Sequence, residues 1–188
     1  MFKTIFLLSL EILPVVIFFI VGMYTSFSTA TLVYVGVTTF SLLMVWLLAK
    51  RISYLSLILG IIIIGSGSLS VWFDDPEILL LTDTVYYLGT ALILFIFKIN
   101  KINLYYLLFH RTFGMTRTGW DILISRWIIA LIIVGITNEL VRQLGTIPDW
   151  FIFQLLKTFL LLIFASYQFT LTKKYRIPEG TNSWGVRV

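Results

Sequence analysis

The chain has 188 residues, of which 59% are hydrophobic and only 12% are charged. A water-soluble domain carries about 25% charged residues, so the composition excludes one. Cysteine is absent, which excludes disulfides, thiolate metal sites and cysteine nucleophiles. The net charge of +5 comes from basic residues beside apolar segments and not from a solvated patch, which argues against nucleic-acid binding.

Six apolar stretches follow one another along the chain, and each approaches the roughly 20 residues that a helix needs to span the hydrocarbon core. They cover residues 5–24, 30–49, 52–73, 79–97, 122–141 and 150–172. The pattern predicts an all-α fold, a polytopic membrane helix bundle of about six transmembrane helices within residues 1–175. Residues 176–188 contain Gly, Pro and Ser without an apolar period, which predicts a flexible cytoplasmic tail.

The first stretch has a second interpretation. Lys3, the apolar run and the small residues ending at Ala30 also follow the order of a signal peptide that is removed on export. Glu11 lies in the middle of this run, which is unusual for a signal core. We therefore expect the segment to be retained as the first span.

The third span carries small residues along one helical face. They recur at a spacing of three and four residues, with Ile63 filling the one remaining step, and are Ser53, Ser56, Gly60, Gly67 and Ser70. Small residues let two helix backbones approach closely in lipid. The face predicts a helix-packing contact, with a dimer seam or a hinge at residues 65–67 as alternatives.

The loops alternate in charge. Lys50 and Arg51 follow the second span, whereas the turn after the third span is acidic and contains Asp74, Asp75 and Glu77. Basic residues dominate again after the fourth and the sixth span. The positive-inside rule then predicts that both termini are cytoplasmic and that the acidic turn is outside.

The segment between spans four and five mixes aromatic and polar residues. Tyr105, Tyr106 and Phe109 can enter the membrane interface while the neighbouring cations contact anionic lipid, which predicts a short interfacial helix. The predicted lipid headgroup contacts are Lys98, Lys101, His110 and Arg111. His110 is the only histidine and has no ligand at metal-binding spacing, so no metal site is predicted.

Polar and ionisable residues within the spans are functional candidates by default. They are Glu11, Arg126, Asn138, Glu139 and Lys157. Matching their depths at 1.5 Å per residue predicts two ion pairs, Glu11 with Arg126 and Glu139 with Lys157. These groups either fix helix packing or, as an alternative, line a polar route at Glu11, Asn138 and Lys157. No catalytic or cofactor-binding motif is found.

Short motifs in sequence order resemble the landmarks of a known family. They are EILP at 11–14, FF at 18–19, GSL at 67–69, TVY at 84–86, Trp120 and Trp127 seven residues apart, GITN at 135–138 and KTF at 157–159. In this order they resemble the intracellular septation protein A family, the YciB-type bacterial inner-membrane proteins, over nearly the whole chain. The chain departs from the family at Thr82 and Asp83, where relatives carry a basic residue.

The resemblance implies a multi-pass protein of the bacterial inner membrane with a role in envelope integrity and septation. It implies lateral contact with division or cell-wall synthesis proteins, membrane lipids as further partners, and neither a cofactor nor a known reaction. Homo-oligomerisation is left open. The alternative function is a small transporter or channel that uses the polar route defined above.

Overall fold

A computed structural model describes residues 2–50 and 54–187, with the side chains of residues 2–9, 11, 49 and 54–56 outside the description. Its regular secondary structure is helical, which agrees with the predicted all-α class. Seven helices lie in the described residues: α1 Phe2–Tyr24, α2 Phe27–Ala49, α3 Tyr54–Trp72, α4 Glu77–Ile99, α5 Leu104–Phe109, α6 Arg117–Leu144 and α7 Ile147–Lys174.

Four helices are long and apolar enough to cross a membrane. These spans are Phe27–Leu48, Glu77–Ile99, Arg117–Leu144 and Ile147–Lys174. Within the described residues, the apolar parts of α1 and α3 are shorter, Ile12–Tyr24 and Leu57–Trp72. The structure is therefore that of a helical membrane protein, and the count of six spans stays a prediction.

Side-chain caps set where several helices begin. The hydroxyl of Ser26 accepts a hydrogen bond from the backbone N–H of Thr29 at 3.3 Å and begins α2. Thr146 and Asp149 form a capping box at the start of α7, with Pro148 in the first turn. These caps satisfy N–H groups that a helix leaves unpaired in its first turn.

Contacts divide the chain into two compact units, Met1–Thr82 and Asp83–Val188. In unit 1, the rings of Phe18 and Tyr34 stack with centroids 4.7 Å apart and join α1 to α2. Unit 2 has two clusters of buried apolar side chains. One consists of Ala91, Leu94, Ile124, Ile128 and Leu131, and the other of Met115, Trp120, Leu123 and Leu171.

Large apolar side chains also point outward along the long helices. On α7 the exposed ones include Ile152, Leu156, Phe159, Leu160 and Ile163. Water would make such a continuous exposed surface unfavourable, whereas lipid does not. This surface is the one expected of a helix that faces the bilayer.

Residues 176–187, within the segment predicted as a flexible tail, are hydrogen-bonded to the linker before α6. Gly114 donates its N–H to the carbonyl of Gly185 and accepts from Ile177, both at 2.9 Å, while Arg187 donates to the carbonyl of Thr112. Gly185 is buried and takes a φ of +74°, which favours glycine. We name this segment the C-terminal clasp.

Candidate functional site

A set of polar side chains lies at the interface of α4, α6 and α7 in unit 2. We call it the polar cluster, and its members are Asp83, Thr84, Asn138, Glu139, Gln154 and Lys157. Two residues come from each helix. Gln154 and Lys157 are three apart and share one face of α7, whereas the neighbouring residues of α4 and of α6 point about 100° apart and reach different partners. Three of the predicted intramembrane residues therefore meet in one place.

Lys157 forms the ion pair at the centre of the polar cluster. Its Nζ lies 2.9 Å from Oδ2 of Asp83, and 4% of the Lys157 side chain is exposed against 34% of Asp83. The same carboxylate oxygen accepts a hydrogen bond from Nε2 of Gln154. The ammonium also lies 4.6 Å from the ring centroid of Tyr87. The predicted pairing of Lys157 with Glu139 is therefore wrong.

Asn138 connects the ion pair to the rest of the polar cluster. Its side chain is fully buried, its Nδ2 donates to Oγ1 of Thr84 at 2.9 Å, and its Oδ1 accepts from Gln154 at 3.3 Å. Thr84 in turn donates to Oε2 of Glu139 at 3.1 Å. Buried amide groups of this kind are costly unless they are paired, and here they bridge three helices.

Glu139 is neutralised within its own helix. Arg142 donates from Nη2 to Oε1 at 2.6 Å and from Nε to Oε2 at 3.0 Å, and Gln143 donates to Oε1 at 2.6 Å. A partner three or four residues away on the same helix is within reach without any tertiary arrangement. Glu139 therefore has its cationic partner, Arg142, on its own helix, and Lys157 pairs with Asp83 of α4 instead.

Arg126 lies nearer the other end of α6, away from the polar cluster. Its Nη1 donates to Oε1 of Gln168 at 3.3 Å, and its guanidinium carbon lies 5.5 Å from the ring centroid of Tyr167. Both contacts come from α7. The side chain of Glu11, its predicted partner, lies outside the described residues.

The small-residue face of α3 lies against α2 where it is described. Gly60 is buried beside the side chain of Leu42, and a Cβ added at Gly67 would lie 2.6 Å from Cγ2 of Val35. The absence of side chains at the two glycines therefore allows the close approach of the two helices.

The other members of that face are only partly described. Ser70 is buried and donates to the carbonyl of Asp75 at 2.7 Å, so it closes the acidic turn. Ser53 and the side chain of Ser56 lie outside the described residues.

The short helix α5 lies where an interfacial helix is predicted. Its N-cap is Asn103, which accepts from the N–H of Tyr106 at 3.1 Å and donates to Asp121. Burial raises the pKa of Tyr105, whose ring packs near Trp127 at 6.4 Å between centroids. This ring attaches α5 to α6.

The predicted lipid contacts lie around α5 and differ in exposure. Lys98, Lys101 and Arg111 are exposed, and Lys98 also donates to Ser125 at 2.7 Å. His110 is partly buried, and its Nδ1 lies 2.9 Å from the carbonyl of Tyr106. Three of these four side chains are thus exposed at the surface near α5.

A continuous chain of hydrogen bonds runs from Lys157 through the polar cluster to Glu139, which Arg142 also contacts. Such a chain binds helices together, and it is also a continuous line of polar groups through an apolar bundle. Within the described residues, no group of three His, Asp or Glu side chains is arranged to hold a metal ion.

Asp83, Thr84 and Gln154 are the members of the polar cluster that the predicted set of intramembrane residues lacks. In the sequence, Asp83 is noted only as a departure from the family pattern. A signal was present, because Thr84 is seven residues before Ala91 and ten before Leu94, both buried on α4. This spacing continues the buried face of α4 to the polar pair.

Comparison with known proteins shows that the chain is similar in sequence to one family. The model of the family described as intracellular septation protein A matches residues 7–179. The chain is 25% identical over 177 residues to the inner membrane-spanning protein YciB of Nitrobacter hamburgensis, covering 94% of this chain and 89% of the relative. The YciB protein of Afipia carboxidovorans is 23% identical, with 94% and 88% covered. No solved structure matches the chain significantly.

Proposed function

The chain belongs to the intracellular septation protein A family, and we propose that it acts in the bacterial inner membrane as a scaffold for envelope integrity and septation, without catalytic activity of its own. In this proposal six helices span the membrane and both termini are cytoplasmic. The scaffold contacts division or cell-wall synthesis proteins laterally within the bilayer.

The pairing of charges in the polar cluster is the observation that carries this proposal. Lys157 is paired with Asp83, and Glu139 with Arg142. A charge within the hydrocarbon region is costly unless a partner neutralises it. Groups that neutralise each other and join three helices favour a rigid bundle that presents a fixed outer surface to neighbours.

The test is photo-crosslinking in intact cells from the outward face of α3. A photoreactive residue at Ile61 or Leu69, which are 60% and 50% exposed, samples that face. We expect adducts with a division or cell-wall synthesis protein, identified by mass spectrometry. The matched control is the buried Ser70, from which these adducts are absent. Adducts with lipid alone would contradict the scaffold.

A transporter or channel is the second candidate, because the hydrogen-bonded chain of the polar cluster is continuous. Since the protein has no cysteine, single cysteines introduced at Glu11, Asn138 and Lys157 can be probed without background. Labelling of all three by an aqueous thiol reagent would support a route and contradict the scaffold. The exposed Glu179 provides the labelled control, and Ile133 the lipid-facing one.

A further inference from the structure

An apolar groove runs between α6 and α7 and has a volume of about 480 Å³. Its walls include Ala130, Val134, Leu160 and Phe164, and Arg126 lies at one end. The groove does not belong to the polar cluster, although the buried Lys157 borders it. We name it the α6–α7 groove.

The two cations that border the groove differ in charge balance. Lys157 is neutralised by the Asp83 carboxylate at 2.9 Å. Arg126 donates to the neutral amide of Gln168, and among the described side chains no carboxylate pairs with it. As far as the described side chains go, one end of an otherwise apolar groove therefore carries a net positive charge.

The groove is as long as one lipid leaflet is thick. Its α6 wall extends from Arg126 to Thr137, which at 1.5 Å per residue is about 16 Å. The hydrocarbon core is about 30 Å thick, so one acyl chain is roughly half of that in length. An acyl chain fits this groove with its headgroup at the charged end.

We propose that the α6–α7 groove binds one acyl chain of an anionic phospholipid, with the phosphate on Arg126. A guanidinium offers five N–H donors in a planar fork that matches phosphate oxygens, and only one contact is made to Gln168. Tyr167, which is 57% exposed and lies under the guanidinium, offers a hydroxyl to the same headgroup. The leaflet concerned is the one at the Arg117 end of α6.

The test uses the full chain in vesicles that contain either phosphatidylglycerol or phosphatidylcholine with a photoreactive acyl chain. Adducts on the groove segments of α6 and α7 are counted by mass spectrometry. We expect the anionic lipid to exceed the zwitterionic one about fivefold, since one cation near the surface contributes about 1 kcal/mol to binding an anionic lipid. Arg126→Gln should bring this ratio to about 1.

Two further variants separate this site from general attraction to cations. Arg117→Gln removes an exposed cation of the same helix that does not line the groove, and should leave the ratio unchanged. Ala130→Phe fills the groove without altering charge and should abolish groove adducts of both lipids. A ratio of 1 in the unaltered protein, an equal loss in the two arginine variants, or persisting adducts after Ala130→Phe would each overturn the proposal. The Ala130→Phe result applies even if Arg126→Gln does not fold.

Discussion

The two units hold their helices together by different means. In unit 1, α2 and α3 approach because Gly60 and Gly67 leave room for side chains of α2. In unit 2, α4, α6 and α7 are joined by hydrogen bonds and an ion pair between Lys157 and Asp83. Van der Waals packing and interhelical hydrogen bonds are the two main forces available inside lipid; the glycine contacts of unit 1 use the first, and the polar cluster adds the second to the apolar packing of unit 2.

Buried hydroxyl groups make the same contrast visible in single residues. In unit 1 the buried hydroxyls of Thr31, Thr38 and Ser41 have no hydrogen-bond partner among the described residues. In unit 2, Thr84 both accepts from Asn138 and donates to Glu139. Buried threonine hydroxyls thus have no partner among the described residues at Thr31 and Thr38 of unit 1, whereas the hydroxyl of Thr84 links two helices in unit 2.

Removing the buried cation should have the largest effect. Lys157→Met leaves Asp83 without its ion-pair partner. Leaving a fully buried charge unpaired costs about 3–5 kcal/mol, and because 34% of the Asp83 side chain is exposed to water, the cost here falls to about 2–3 kcal/mol. We expect a loss of this size in the free energy of unfolding, measured with denaturant in detergent micelles. The double variant with Asp83→Asn should recover much of the loss.

The exposed Lys101 provides the matched control. Lys101→Met should change the free energy of unfolding by less than about 0.5 kcal/mol. If Lys157→Met were equally mild, the ion pair would not stabilise unit 2.

The same substitution in both units sharpens the comparison. Thr84→Val leaves Asn138 and Glu139 each without one partner, which should cost about 2 kcal/mol. Thr38→Val removes a hydroxyl that has no partner and should be neutral or slightly stabilising. Unfolding curves of the two variants give the difference, and equal losses would remove the distinction between the units.

Glycine substitutions in α3 should give the smallest effects, and effects of opposite sign. Gly67→Ala forces a methyl group against Val35 and should cost about 1 kcal/mol. Gly65→Ala meets no atom within 4 Å and should stabilise the helix by about 0.5 kcal/mol. Thermal unfolding of the pair measures the sign, and a stabilising Gly67→Ala would contradict close packing at that position.

Sequence reasoning found the helices because hydropathy depends on position along the chain alone. The predicted stretch 79–97 corresponds to α4 at Glu77–Ile99, and 150–172 to α7 at Ile147–Lys174. The real helices are longer because polar caps and charged end residues, such as Thr146 and Lys174, extend them beyond the apolar core.

The pairing of side chains was less predictable from sequence. Depth along a helix axis places Lys157 near the level of several acidic residues but does not say which way each one points. Glu139 has Arg142 three residues later on its own helix, and this local partner could have been read from the sequence. The choice of Asp83 needed the rotation of α4 about its axis, which only the packed structure gives.

The hydrogen bonds of the C-terminal clasp can form only late in synthesis of the chain. The backbone groups of residues 112–116 hydrogen-bond to residues 175–187, which leave the ribosome only after both α6 and α7 have been made. Unpaired backbone groups are costly in hydrocarbon, so until the clasp arrives this linker stays in the headgroup layer or in water. We expect the start of α6 to stay at the membrane surface until residues 175–187 have been made and can pair with it.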